Sequence, residues 1–228
     1  MHRLALFDID CTLIDAHGAG GRAIMRAIED TFGVTGSLDG YTFHGRTDPG
    51  IVADLAARWG APDGDVRSRL DACLAEYLRL LESEVAAGTT EVLPGVRELV
   101  AALAADERVL LGLLTGNVEA GAAVKLAPTG LAGLFTVGAY GSDSPDRPEL
   151  PAFAVERARA LTGHSYEGKE IAIIGDTPSD ILCGVDYAAK AIGVATGRHS
   201  VADLAAHHPD FVFSDLSDWR AVYEAILA

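Results

Sequence analysis

Leu4-Ala5-Leu6-Phe7-Asp8-Ile9-Asp10-Cys11-Thr12 opens on a short apolar run that stops at two acids. An uninterrupted apolar run of this length marks a parallel strand covered on both faces. The pattern returns at 109–115 (VLLGLLT), 135–140 (FTVGAY), 170–176 (EIAIIGD), 190–196 (KAIGVAT) and 210–213 (DFVF). Helical patterns stand between these runs, at 96–105, 118–127, 152–161, 179–188, 201–207 and 218–227. Strands alternating with helices predict an α/β fold, a three-layer Rossmann-like parallel sheet. The alternation lapses between about 20 and 87, where only helical patterns occur: 21–32, 47–59 and 63–86. The last carries Leu70, Leu74, Tyr77 and Leu81 at helical spacing. A helical insertion straight after the first strand predicts a separate cap. The expected division is an α/β core of 1–14 and 91–228 and an all-helical cap of 15–90, with hinges at 15–20 and 88–94.

Three of the strands end in polar clusters: Asp8 to Thr12, Thr115-Gly116-Asn117, and Asp176-Thr177-Pro178-Ser179-Asp180. Open α/β sheets bind ligands at the carboxyl ends of their strands, so all three clusters are expected at one sheet edge. Asp8 and Asp10 are two apart in an extended segment and point the same way. Joined by Asp176 and Asp180, they would repel unless a cation offset them. A hard divalent ion with oxygen ligands does so, and Mg2+ suits a few carboxylates plus a substrate phosphate. Thr115-Gly116-Asn117 precedes a predicted helix. Its hydroxyl and backbone N–H groups are expected to seat a phosphate, and Thr115 or Asn117 is also suited to cap that helix.

The 228 residues carry 18 Lys+Arg against 33 Asp+Glu, a net charge of -15. Such a surface repels phosphate backbones and argues against nucleic acid or an anionic membrane as partner. A composition 49% hydrophobic and 22% charged excludes disorder as the main state. Cys11, Cys73 and Cys183 form no CxxC pair, so neither a zinc knuckle nor a disulfide framework is expected. Neither a leader peptide nor a membrane-spanning run is seen, and a cytoplasmic location is the expectation. Oligomeric state is left open.

DIDCT, LLTGN and IIGDTPSD, in this order, resemble the haloacid dehalogenase-like hydrolase superfamily. The resemblance spans the chain, and it is greatest to the helical-cap subgroup that contains phosphoglycolate phosphatase. It implies a Mg2+-dependent phosphatase that cleaves a small phosphorylated metabolite, phosphoglycolate-like or a sugar phosphate. Asp8 would attack phosphorus and form an aspartyl-phosphate; Asp10 would act as acid and then base; Thr12 would orient Asp10. Thr115, with Gly116 and Asn117, would hold the phosphate. Asp8, the backbone carbonyl of Asp10, and Asp176 would bind Mg2+, with Asp180 behind them. The resemblance also implies a basic residue ahead of a late helix, most often lysine. Arg147, followed by Pro148 and a helical pattern, fits that setting. Lys125 lies ten residues past Thr115, about 15 Å along a helix, which favours Arg147.

Cys11 stands where the resemblance implies glycine; a slight shift of the loop is expected, its side chain can point away, and it reads as a small buried thiol rather than a redox centre. Arg46, in Phe43-His44-Gly45-Arg46-Thr47-Asp48, is expected either to read the substrate's non-phosphate end or to pair within the cap with Asp48 or Asp39. A phosphonate hydrolase would need a cap lysine, and 15–90 has none. A dehalogenase needs neither Asp10 nor Mg2+. A phosphosugar mutase shares the acids and stays open. A non-enzymatic binding module would have lost an essential acid, and none is lost. Gly18-Ala19-Gly20-Gly21-Arg22-Ala23 fits GxGxxA, but no strand leads directly into it, so these glycines read as hinge residues. His207-His208 has no partner at metal spacing and reads as a solvated helix end.

Overall fold

The computed structural model describes residues 2–228; Met1, the first residue of the expected core, lies outside the described residues. β1 (Arg3–Phe7), β4 (Val109–Leu114), β5 (Val137–Ala139), β6 (Ile171–Gly175), β7 (Lys190–Val194) and β8 (Phe211–Phe213) form one sheet in the order β5-β4-β1-β6-β7-β8. Every pairing in it is parallel. β1 is central and buried throughout, with Phe7 level with Leu113 of β4 and Ile174 of β6.

Alternate residues of β1 serve opposite layers, as the pleat requires. Ala5 and Phe7 pack with α4 (Val96–Ala104), α5 (Glu119–Leu126) and α9 (Trp219–Leu227). Leu4 and Leu6 pack with α6 (Leu150–Thr162). α7 (Pro178–Leu182) and α8 (Val201–Ala205) cover the β7 side through Ile181 and Leu204. Arg3 and Lys190 are buried and donate to the last carbonyls of α9, where positive charge suits a helix carboxyl end.

The only regular elements within 20–87 are helices, as expected: α1 (Ala19–Phe32), α2 (Asp48–Arg58) and α3 (Asp63–Ala87). They close over Ile24 and Ile28, Val52 and Leu55, and Tyr77 and Leu81. The fully buried stripe of α3 runs through Cys73, Tyr77 and Leu81, while Leu70 and Leu74 are only partly buried. Val118 and Val124, at α5, join this cluster, so the helical block rests on the sheet domain. One element was not anticipated. Where the chain leaves for the block and returns, β2 (Ile14–Asp15) and β3 (Glu91–Val92) pair antiparallel. Two residues each are too few to show a period. No helix among the described residues is long and apolar enough to cross a membrane.

Candidate active site

Because β1 lies between β4 and β6, the loops that follow all three meet at one edge. They bring Asp8, Asp10, Thr115 and Asp176 around a cavity of about 500 Å³. Arg147 sits just ahead of α6 and is buried; its Nη2 lies 3.4 Å from Asp8 Oδ1 and donates to Asp180 Oδ1. The other Asp180 oxygen accepts from the Thr177 N–H at 2.9 Å and the Thr177 hydroxyl at 2.6 Å. That pairing caps α7. Both Asp180 oxygens are therefore engaged.

Asp176 differs. Its Oδ1 accepts a long bond from the Thr12 hydroxyl, 3.4 Å, and its Oδ2 is buried without a partner. Burial, and then the charges of Asp180 and Asp8, push its carboxyl up to about 8. Burial pushes Asp8 up to about 6, with Asp180 and Asp10 adding to it against the pull of Arg147. Carboxylate oxygens of Asp8, Asp176 and Asp180 lie within 4.8 Å of one another. Acids this close hold all their charge only beside a cation. The unpartnered Asp176 oxygen and the Asp8 carboxylate fit a hard divalent ion.

Asp10 is held by Lys125, whose ammonium donates to its two oxygens at 2.9 and 2.7 Å. Asn117 Nδ2 donates to Asp10 Oδ2 at 2.8 Å. Loss of solvent would raise the Asp10 carboxyl, but the Lys125 charge and these hydrogen bonds outweigh it and hold it low. This overturns the exclusion of Lys125. Distance along the helix axis was the wrong measure. Helical side chains lean toward the amino end, and a lysine adds a long stem in that direction. Gly20 of α1 faces the same ammonium, and a Cβ there would lie 3.0 Å from Lys125 Nζ. Thr12 likewise meets Asp176 rather than Asp10.

The helix start beside Thr115 also departs from expectation. α5 begins at Glu119 with Val118 as its cap, and neither Thr115 nor Asn117 caps it. The Asn117 N–H donates to Thr115 Oγ1 at 3.3 Å, and the Glu119 N–H donates to Ser142 at 3.2 Å. The Val118 N–H donates at 2.9 Å to Asp48 Oδ2, from the helical block. The Asp48 N–H donates to Gly116 O at 2.7 Å, and the Thr47 hydroxyl donates to Pro145 O at 2.6 Å. Gly116 is needed here, since a Cβ would fall 1.8 Å from Arg46 O. The 43–48 loop is thus seated directly on the two core loops that carry Thr115 and Arg147.

Asp48 supplies a stability prediction. Burial pushes its carboxyl from 3.8 up to about 6, against the opposing pull of Lys125 and the Val118 N–H. An acid that holds its proton more tightly folded than unfolded costs stability as pH rises through that interval. Asp48→Asn keeps an acceptor for Val118 and removes the charge. Its melting temperature should therefore gain on the unsubstituted chain between about pH 4 and about pH 7. A difference independent of pH would refute this.

Arg46 lines the cavity, but its guanidinium pairs with Asp54 and lies 4.9 Å over the Tyr41 ring. The partner is neither Asp48 nor Asp39; Asp39 instead offers its carbonyl to Arg58. Arg46 lies two residues ahead of α2 and Asp54 lies within that helix. Cys11 does not point away. It lines the cavity in the left-handed conformation, φ 59°. Burial, then Asp176 and Asp10, push its thiol up to about 12, which makes it a poor nucleophile. His44, also at the cavity, gave no signal in the sequence beyond its place beside Arg46. His207 and His208 are exposed.

The haloacid dehalogenase-like hydrolase family model matches residues 5–184, and a related HAD-hydrolase-like model matches 150–219. A phosphoglycolate phosphatase of Yersinia pseudotuberculosis serotype I (strain IP32953) is 25% identical over 93% of this chain and 89% of its own length. "Probable phosphatase IndB" of Dickeya dadantii (strain 3937) is 26% identical over 100% of this chain and 96% of its own. Among solved structures, a hydrolase from Pseudomonas syringae superposes with a TM-score of 0.74 at 19% identity, covering 100% of both chains. The chain belongs to the haloacid dehalogenase-like hydrolase family, and the curated relatives it matches along nearly all of its length are named phosphatases.

Proposed function

We propose that the protein is a Mg2+-dependent phosphatase of small phosphorylated metabolites, working through an aspartyl-phosphate. The observation that carries this reading is two acids two residues apart at one cavity, each beside a buried cation of its own. Asp8 lies beside Arg147, and Asp10 is gripped by Lys125 and Asn117. An Asp8 oxygen attacks phosphorus as the ester P–O bond breaks, and Asp10, which must first take up a proton against the hold of Lys125, gives that proton to the departing oxygen. Asp10 then takes a proton from water, whose oxygen displaces Asp8 from phosphorus and frees phosphate. Thr115, Gly116, Asn117 and Arg147 hold the transferring group, where most of such catalysis resides. Arg147 is anchored for this by Asp180. Mg2+ would be held by Asp8, Asp176 and the Asp10 carbonyl, and it would neutralise charge on the phosphoryl oxygens. Residues 15–90 serve as the cap over a core of 1–14 and 91–228, excluding water from the cavity. Three unpaired cysteines suit a cytoplasmic enzyme.

Para-nitrophenyl phosphate with and without metal is the test. Chelation should abolish turnover and Mg2+ restore it; full activity after exhaustive chelation would overturn the Mg2+ requirement. Product analysis with sugar phosphates separates phosphatase from mutase: the first releases inorganic phosphate, the second an isomeric phosphosugar.

Arg46 is the proposed reader of the substrate's far end. Its pair with Asp54 is open to water, with side chains 42% and 50% exposed. Exchanging that carboxylate for one on the substrate is therefore inexpensive. Arg46→Ala should raise KM for an acidic phosphorylated metabolite by about tenfold and leave para-nitrophenyl phosphate nearly unchanged. Equal effects on both substrates would remove Arg46 from this role.

A further inference from the structure

We infer that Cys11, His44 and Asp176 form a second metal site, for a thiophilic divalent cation such as zinc, which ties the 43–48 loop to the core. A Cys11 sulfur, a His44 ring nitrogen and an Asp176 carboxylate oxygen all lie within 4.8 Å of one another. Sulfur, imidazole and carboxylate together are a zinc-type donor set, unlike the all-oxygen set magnesium takes. Ligand atoms around tetrahedral zinc sit roughly 3.5 Å apart, so a small inward movement of His44 and Cys11 completes three corners and leaves one for water.

Two features of these residues bear on such a site, the first of them shared with the magnesium site. Asp176 is 1% exposed, yet its Oδ2 has no hydrogen-bond partner. Cys11 adopts φ 59°, which strains a residue with a side chain. Its backbone is pinned there: the N–H donates to Ile14 O at 2.8 Å, and the carbonyl accepts from the Thr196 hydroxyl at 2.5 Å. Strain kept at a cavity wall is a pointer to use. Gly197 closes the far side. A Cβ on it would lie 1.9 Å from Asp176 Oδ2 and 3.3 Å from Cys11 Cβ, so carboxylate and thiol border one spot.

The cation would take the Cys11 sulfur as thiolate and release its proton to water. It would join His44 of the helical block to two core loops and occupy Asp176, which the magnesium site also needs. The bound form is therefore closed and inactive. Only this inhibition rests on the phosphatase reading; the binding does not.

Cobalt(II) added to the metal-free protein is the direct probe. Unsubstituted protein should show thiolate-to-cobalt charge-transfer absorption in the near ultraviolet. Cys11→Gly should lose that band, and His44→Ala should weaken cobalt binding about tenfold or more. Glycine suits the left-handed backbone, so loss in Cys11→Gly does not reflect misfolding. With Mg2+ present, zinc should inhibit para-nitrophenyl phosphate hydrolysis by the unsubstituted protein. Cys11→Gly should keep its basal rate and need at least about tenfold more zinc. Absence of the band, or equal zinc sensitivity in both proteins, overturns the site. If hydrolysis is absent altogether, the cobalt band still decides the binding.

Discussion

Asp8→Asn should cut turnover by about 10⁴-fold or more while the fold survives. The substitution removes the oxygen nucleophile and changes almost nothing in shape. Asp8 is buried at the end of the central strand, where its N–H donates to Ile174 O at 2.9 Å, a backbone bond the substitution keeps. It also relieves repulsion, since the Asp8 carboxyl is pushed up to about 6 by burial and by Asp180 and Asp10. The metal-free variant should therefore melt no lower than the unsubstituted chain. Steady-state rates beside a thermal melt check both halves. Retention of more than about a tenth of the activity would show that Asp8 is not the nucleophile.

Lys125→Met should cost about 10²-fold in kcat toward an alkyl phosphate and far less toward para-nitrophenyl phosphate. The reason is the job Lys125 holds. It grips both oxygens of Asp10 from inside the protein, with a side chain only 6% exposed. Without it, Asn117 alone orients the acid that must reach the leaving oxygen. An alkoxide needs that proton as its bond to phosphorus breaks; a nitrophenolate leaves nearly unaided. The difference between the two substrates separates loss of a positioned acid from general damage to the fold, which would slow both alike. Lys125→Arg, which keeps the charge and the donors, should recover part of the alkyl phosphate rate. Equal losses on both substrates would reduce Lys125 to a structural ion pair.

The contrast between Arg147 and Lys125 shows where reading along the chain reaches its limit. Arg147 was legible because its cue is local: a basic residue, a proline and a helical pattern in succession. Lys125 carries no such local cue: its contact with Asp10 joins positions 115 apart in sequence. In the sequence Asp48 offers itself as a partner for Arg46, which in fact pairs with Asp54. The tie of Asp48 to the Val118 N–H of the core depends on how the inserted block is seated. The pairing of Arg46 with Asp54, the turn of Cys11 into the cavity and the contact of Thr12 with Asp176 belong to the same class.

The sequence by itself determined the parallel sheet, the helical insertion and the edge at which the acids gather. Apolar runs, helical spacing and two acids two residues apart are local properties, and in an α/β sheet the strand ends that bear them must converge. The tertiary structure alone decided which side chains meet there. A side chain's reach is set by helix placement, by the lean of each Cβ and by which backbone groups the neighbouring loop has already taken. None of these is written in the spacing of residues.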